Sequence, residues 1–351
     1  MKNKLLLSSA LLGSLVVGSS SYAQTTVGGN LQLSFKSLSG YVGSTTQSQQ
    51  SFGRESQLNV QSKGSLNNGM TYAAGFSYEI DGGQTADVSN ENVYIDFISG
   101  DTTLTIGLDH IQNTNRTKGN LIGNDASDLA TGNAYAVASG TAAGTHFIQS
   151  AGANPAQAMG VGVTQKTPIG SFSAFYAPTN GNSGSDSEVG NLAGTAGLNV
   201  ENDRESAYEI GFDGNLGVKG LAVHYFYNNE DKNAGQTTDL TGVNYGVSYN
   251  FGQITVGANR KETEGGASYE LKQDEFGITY AVNPNLTIGA NYTKVDSNQA
   301  AAVDAKSKSI AVGYNFGPVA VVGQYAKMEN VTNVANTGDV DIAFVKFVTN
   351  F

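Results

Sequence analysis

Apolar and polar side chains alternate one by one along most of this 351-residue chain, and a period of two restricts it to strands. Val27, Gly29, Leu31, Leu33 and Phe35 fall on one face; Gly28, Asn30, Gln32, Ser34 and Lys36 fall on the other. Tyr72, Ala74, Phe76, Tyr78 and Ile80 alternate with Ala73, Gly75, Ser77 and Glu79, and the same texture recurs over 221–227, 243–251, 286–293 and 310–316. After residue 23 no stretch approaches the roughly 18 apolar residues of a helical membrane span. Mean hydropathy is −0.23. That value does not exclude the membrane, because a barrel shows lipid only every second side chain and hydropathy averages it away.

A soluble sandwich also alternates, with its apolar face inward. Two features favour a membrane barrel. The polar face is rich in Gly, Asn, Thr and Gln rather than Lys and Glu, as suits a lumen crowded by its own walls. Aromatics recur near strand ends, at Tyr72, Tyr249, Phe251, Tyr280, Tyr314 and Phe316, where a girdle at the lipid interface would sit. Connection lengths argue more strongly. Short turns fall at 64–69, 99–101, 167–170, 214–217, 251–253, 283–285 and 317–318; longer polar loops fall at 38–50, 81–90, 110–157, 178–204, 229–238, 263–269, 295–305 and 328–338. Short on one rim and long on the other is the up-and-down pattern, with tight periplasmic turns and large external loops. The expectation is all-β: a transmembrane up-and-down antiparallel β-barrel of about 16 strands around an aqueous channel.

Composition removes other classes. With no Cys, a disulfide framework is excluded. Lys2 and Lys4 precede an apolar run over 5–17, and Ser21-Tyr22-Ala23 supplies the small residues a signal peptidase reads. A leader at 1–23, cleaved before Gln24, is therefore expected, followed by one domain over 24–351, since no Pro- or Ser-rich spacer divides the chain. The mature segment carries 17 basic and 30 acidic residues, a charge of −13, which disfavours nucleic acid as a partner and would concentrate cations near any opening it lines. At the other end, Val340, Ile342, Phe344, Val345, Phe347 and Val348 form a strand-like run closing on Phe351. A strand ending on Phe is expected to be held in a sheet. Val340, Ile342 and Phe344 occupy one phase and Val345, Phe347 and Phe351 the other, so a bulge near Phe344 or a two-sided interface is expected.

Several pieces, taken in order, resemble the general-diffusion porins of Gram-negative bacteria. The run Lys63-Gly64-Ser65-Leu66-Asn67-Asn68-Gly69-Met70-Thr71-Tyr72-Ala73-Ala74-Gly75-Phe76 is similar to that family's first periplasmic hairpin. Asn90-Glu91-Asn92-Val93-Tyr94-Ile95-Asp96-Phe97 and Gly100-Asp101-Thr102-Thr103-Leu104-Thr105-Ile106-Gly107 resemble the next, and Phe351 matches the family's terminal aromatic. The resemblance implies an outer-membrane homotrimer among lipid and lipopolysaccharide, passing small hydrophilic solutes and ions with no cofactor. It also implies a third external loop, here 110–157, that folds inward and sets acids against basic wall residues. Asp125 and Asp128 are its expected negative side, with Arg116 and Lys118 earlier in the same segment. The wall departs from the family: Asn59, Asn90-Glu91 and Gly107-Leu108-Asp109 stand where many members place Arg. Lys36, Lys63 and Lys261 remain as inward candidates, whereas Arg54 and Arg260 fall on the apolar phase. Lys36, Glu91, Asp96, Asp109, Arg116, Asp125 and Asp128 are thus the expected constriction, and a cation-preferring pore is the expected result.

Rival readings meet specific obstacles. A barrel hydrolase needs a nucleophile or activated water held by His, yet His110, His146 and His224 sit in no recognisable nucleophile motif. The acidic runs at 185–188 and 201–205 lack the spacing of a calcium loop and read as solvated loops, so no metal is expected. A sugar-specific channel would need an inward aromatic slide, whereas Tyr94, Phe175 and Phe226 are the only clear inward aromatics and are dispersed. A substrate-specific channel and a non-conducting adhesive barrel remain as alternatives.

Overall fold

The computed structural model describes residues 24–42, 45–82, 86–108, 159–178, 206–231, 238–265, 269–298, 302–330 and 338–351. Within them the alternating segments form sixteen strands. They are β1 (Gln24–Val42), β2 (Thr45–Ser65), β3 (Thr71–Gly82), β4 (Ala86–Ser99), β5 (Thr102–Leu108), β6 (Gly160–Thr167), β7 (Gly170–Ala177) and β8 (Ala207–Gly214). The second half adds β9 (Leu221–Glu230), β10 (Leu240–Asn250), β11 (Ile254–Gly265), β12 (Tyr269–Asn283), β13 (Leu286–Ser297), β14 (Ala305–Asn315), β15 (Val319–Glu329) and β16 (Gly338–Asn350). Each pairs antiparallel with its neighbours, and β1 pairs with β16, so the sheet is a closed barrel. Closure removes the unpaired edge that lipid could not hydrogen-bond.

The seam depends on the two chain positions that meet there. Gly29 and Phe351 exchange both backbone hydrogen bonds, at 2.8 and 3.0 Å, extending the β1–β16 ladder one pair beyond Asn350. A Cβ on Gly29 would lie 2.3 Å from the Gln57 carbonyl and 2.8 Å from the Phe351 ring. Glycine there lets the terminal ring lie flat across β1. The β16 register runs unbroken from Gly338 to Asn350 against β1, so the bulge expected near Phe344 does not form. Val345 and Phe347 face out, while Val340 and Ile342 face in and are fully buried with Met328, Ala326 and Leu38. The two apolar phases are a lipid face and an inner face of one regular strand.

All seven short connections lie at one rim. Five of them use the same device: an Asn side-chain oxygen accepts from a backbone N–H two residues on, which closes the turn locally. The acceptors are Asn68, Asn215, Asn250, Asn283 and Asn315, at 2.9 to 3.1 Å. At the opposite rim two expected loops prove to be mostly strand. β1 and β2 pair from Val42 and Thr45 downward, so 38–50 is a ladder; β3 and β4 likewise extend to Gly82 and Ala86, replacing the loop at 81–90. In both stretches mostly polar residues occupy successive positions of the sequence, which removes the alternation that marks a strand. The segment 110–157 lies outside the described residues.

The outer surface carries the apolar phase, among it Leu31, Leu33, Ile95, Ile106, Val247, Ile278 and Val312. Its lower border holds the tilted ring pairs Tyr249–Phe251 and Tyr314–Phe316, with centroids 4.6 and 4.4 Å apart, where an interface girdle belongs. Its upper border is set by charge. Arg260 is opposite Asp274, which is opposite Lys294; Arg260 donates from Nε and Nη2 to Asp274 at 2.6 and 2.7 Å. Arg54 and Arg260 therefore face outward, as their phase predicts.

Candidate pore lining

On the inner wall the polar phase holds both carboxylates and lysines. Among the described residues the acids are Glu55, Glu79, Asp96, Glu209, Asp213, Glu230 and Glu275, and the bases are Lys36, Lys63, Lys166, Lys261 and Lys346, as strand phase assigns them. Seven against five leaves the wall net acidic, and a low-dielectric wall focuses such a field into the lumen.

The expected site residues fare differently. Lys36 faces inward, is half-buried and makes no ion pair among the described residues. Asp96 also faces inward and is buried; its carboxylate accepts from Thr105 Oγ1 at 2.5 Å, across the β4–β5 ladder. The ladder thus aims Asp96 along the wall rather than across the channel. Glu91 lies in β4, but its side chain is outside the described residues, as are Asp109, Arg116, Asp125 and Asp128 entirely. Lys261 is inward yet fully buried, with Nζ 3.3 Å from Glu275 Oε1. Gln273 Nε2 donates to the same carboxylate oxygen at 2.5 Å. This pair is a wall element, not an open charge for a passing solute.

Sequence reasoning put Glu79 on the polar phase without giving it a site role, and overlooked Glu55, Glu209 and Lys346. Glu55 accepts from Gln32 Nε2 at 2.5 Å across β1–β2. Its phase, three residues from the outward Leu58 and therefore on the opposite face of β2, could have found it. Lys346 was hidden by the ambiguous phase of β16.

The inward aromatics are spaced by glycines. Tyr94 lies against Gly75 and Gly107, where a Cβ would come within 3.0 and 2.6 Å of its side chain; its hydroxyl accepts from Gln61 Nε2 at 2.6 Å. Phe175 covers Gly160 in the same manner. These rings are pressed onto the wall and buried, so they brace the barrel instead of forming an exposed slide. Phe344 joins them on the inner phase. His224 shares a hydrogen bond with Asn259 Oδ1 at 2.8 Å and lies opposite Asp213 in the β8–β9 ladder. At the upper rim Lys294 Nζ bridges Asp296 and Asp304 at 2.8 and 3.1 Å. Asp304, outside the strands, is held below the usual carboxylate range, first by a hydrogen bond shared with Asp296 and then by Lys294.

A closed barrel with an apolar outside, aromatic borders and a charged lumen is a membrane channel by construction. The family model described as Gram-negative porin matches residues 8–333. The chain belongs to the Gram-negative porin family. Solved porins share the fold at low identity. The anion-selective porin from Comamonas acidovorans superposes with a TM-score of 0.65 at 12% identity, covering 94% of this chain and 100% of that one. Salmonella typhi OmpF gives 0.59 at 12% identity over 94% and 98% of the two chains, and a trimer form of Vibrio cholerae OmpT gives 0.57 at 14% over 94% and 100%. No curated protein matches. This porin is accordingly an outer-membrane channel of a Gram-negative bacterium.

Proposed function

We propose that this porin passes small hydrophilic solutes passively and prefers cations, working as a homotrimer. The observation that carries the sign is the acidic excess on the described inner wall, Glu55, Glu79, Asp96, Glu209, Asp213, Glu230 and Glu275 against five lysines. Lys261 and Glu275 cancel each other, which leaves six carboxylates against four lysines on the described wall, with Asp96, Glu209 and Glu230 of the six buried. Anion selectivity belongs to the Comamonas protein by its description; the balance of wall charge here argues for the opposite sign. A trimeric neighbour supports the assembly.

The segment 110–157 narrows the lumen in this proposal, with Asp109, Arg116, Asp125 and Asp128 adding to the field of Lys36, Glu91 and Asp96. Support comes from the wall. One register row on the inner face, Phe226–Asn244–Lys261–Gln273–Val295–Ala305, is almost wholly shielded. The wall of a barrel this wide ordinarily lines water, and a cover over that row would account for its shielding. The leader at 1–23 is proposed to be cleaved before Gln24.

The test is a planar-bilayer recording of the purified mature protein under a salt gradient. Stepwise conductance in threes with a reversal potential of cation-favouring sign is the expected result. Anion-favouring reversal would overturn the charge argument, and a folded barrel without conductance would overturn the channel itself.

A further inference from the structure

One register row of the inner face runs Lys166–Ser171–Asp213–His224–Gly246–Asn259–Glu275, from β6 to β12. His224 is the only histidine among the described residues, and Gly246 beside it leaves a gap in the row. A Cβ at 246 would lie 2.6 Å from His224 Cε1 and 2.5 Å from Asn259 Oδ1. The imidazole therefore lies over the bare backbone of β10 and reaches β11, where Nε2 meets Asn259 Oδ1 at 2.8 Å. A carbonyl oxygen only accepts, so Nε2 carries the hydrogen. That bond is the same for the neutral ring and for the imidazolium, which leaves Nδ1 as the atom that gains or loses a proton.

On its other side His224 stands directly opposite Asp213, where facing side chains have Cβ atoms about 4.5–5.5 Å apart. Asp213 is exposed and His224 half-buried, whereas Lys261 and Glu275 are shielded. The His224–Asp213 pair is thus a charge that meets the water of the lumen. Among the described residues few other charges surround the ring. On β9 its inward neighbours are Ala222 and Phe226, and on β10 they are Asn244, Gly246 and Ser248. Lys261 on β11 and Glu275 on β12 neutralise each other. Glu209 on β8 is four residues from Asp213 and buried, and Lys166 is two strands beyond Asp213.

We propose that His224 is a selectivity-setting residue through which the lumen responds to pH. With the ring neutral, the His224–Asp213 pair presents one negative charge to passing ions; with the ring protonated it presents none. An imidazole ordinarily changes charge near pH of about 6.5, where ordinary carboxylates and lysines do not titrate. Acidification therefore removes one charge from the acidic excess of the wall and weakens its attraction for cations. The proposal rests on the pore reading, and it holds for either overall sign of selectivity.

The test is the reversal potential of the purified mature channel in planar bilayers at about 0.1 M salt, followed from about pH 7.5 to about pH 5. The cation-to-anion permeability ratio of wild type is expected to fall roughly twofold, the effect of one unit charge about 10 Å from the ion path after screening. His224→Gln keeps a group that can donate to Asn259, and its ratio is expected to stay at the wild-type high-pH value throughout. His224→Lys is expected to hold the wild-type low-pH value throughout. A wild-type-sized step in either variant would overturn the assignment and move it to another titrating group. At about 1 M salt, where the screening length is about 3 Å, the step is expected to vanish; a step that persists would indicate a closure of the channel and overturn the field mechanism. A conducting wild type with a flat profile overturns this role alone, whereas a silent barrel overturns the pore reading with it.

Discussion

Replacing Glu275 with Gln gives the sharpest test of how the inner wall is held. Lys261 Nζ lies 3.3 Å from Glu275 Oε1, with the two side chains 0% and 3% exposed. At an effective dielectric of about 20, that separation corresponds to about 5 kcal/mol of attraction. Removing one partner of a buried pair costs about 3–5 kcal/mol, because the remaining charge keeps its desolvation penalty. Glu275→Gln preserves shape and can still accept from Gln273, so charge is nearly all that changes. The same cost is expected for Lys261→Met. In Lys261→Met/Glu275→Gln neither charge remains, and the double variant is expected to lose less than the two singles added together, with coupling of about 2–3 kcal/mol. Urea titration of barrels folded in lipid vesicles, read as the fraction running as folded species on unheated gels, measures all three. Singles that add to within about 0.5 kcal/mol would refute the reasoning, since independent sites behave that way. The pair would then be a solvated contact, and the shielding of the row that contains Lys261 would need another account.

Four shorter expectations follow from the same geometry. Gly29→Val drives a side chain into the Gln57 carbonyl and the Phe351 ring and is expected to cost at least about 1–3 kcal/mol, visible as a lower yield of folded barrel; an unchanged yield would show that the seam tolerates a rearranged terminus. Asn250→Ala removes the acceptor that closes the β10–β11 turn at 3.0 Å, for an expected loss of about 0.5–1.5 kcal/mol in the same urea assay. Lys36→Glu reverses a half-buried inward charge that has no ion-pair partner among the described residues and should move the reversal potential further toward cation selectivity; an unchanged reversal potential would place Lys36 off the ion path. Asp304 has a folded pKa below its ordinary 3.8, so its contribution to stability is present above that value and is lost only as pH falls through the lower folded one. A carboxyl titration midpoint for Asp304 above 3.8 would contradict the contacts with Asp296 and Lys294.

The barrel was legible because its determinant is local. Period-two alternation and short turns, each with Gly or Asn where the backbone needs it, recur along the chain, and neither requires knowing which strand is next to which. The same locality explains the misreadings. Where β1 and β2 approach the long-connection rim, polar residues fall at successive positions, alternation disappears and 38–50 reads as loop. In β16 two apolar phases coexist because Val340 and Ile342 face an apolar patch on the inner wall formed with Leu38, Ala326 and Met328, a partnership spread over 300 residues of sequence that no window reveals. The pore lining is less legible still. Phase alone put Lys36, Lys63, Asp96 and Lys261 inside, correctly, but phase does not separate a charge that meets solute from one consumed by the wall. Asp96 is turned onto Thr105 and Lys261 onto Glu275, both through cross-strand neighbours fixed by register. In the proposed pore, selectivity follows the inward charges that register leaves unneutralised, and Lys36, half-buried with no ion pair among the described residues, is a wall position where one substitution should alter the strength of that field.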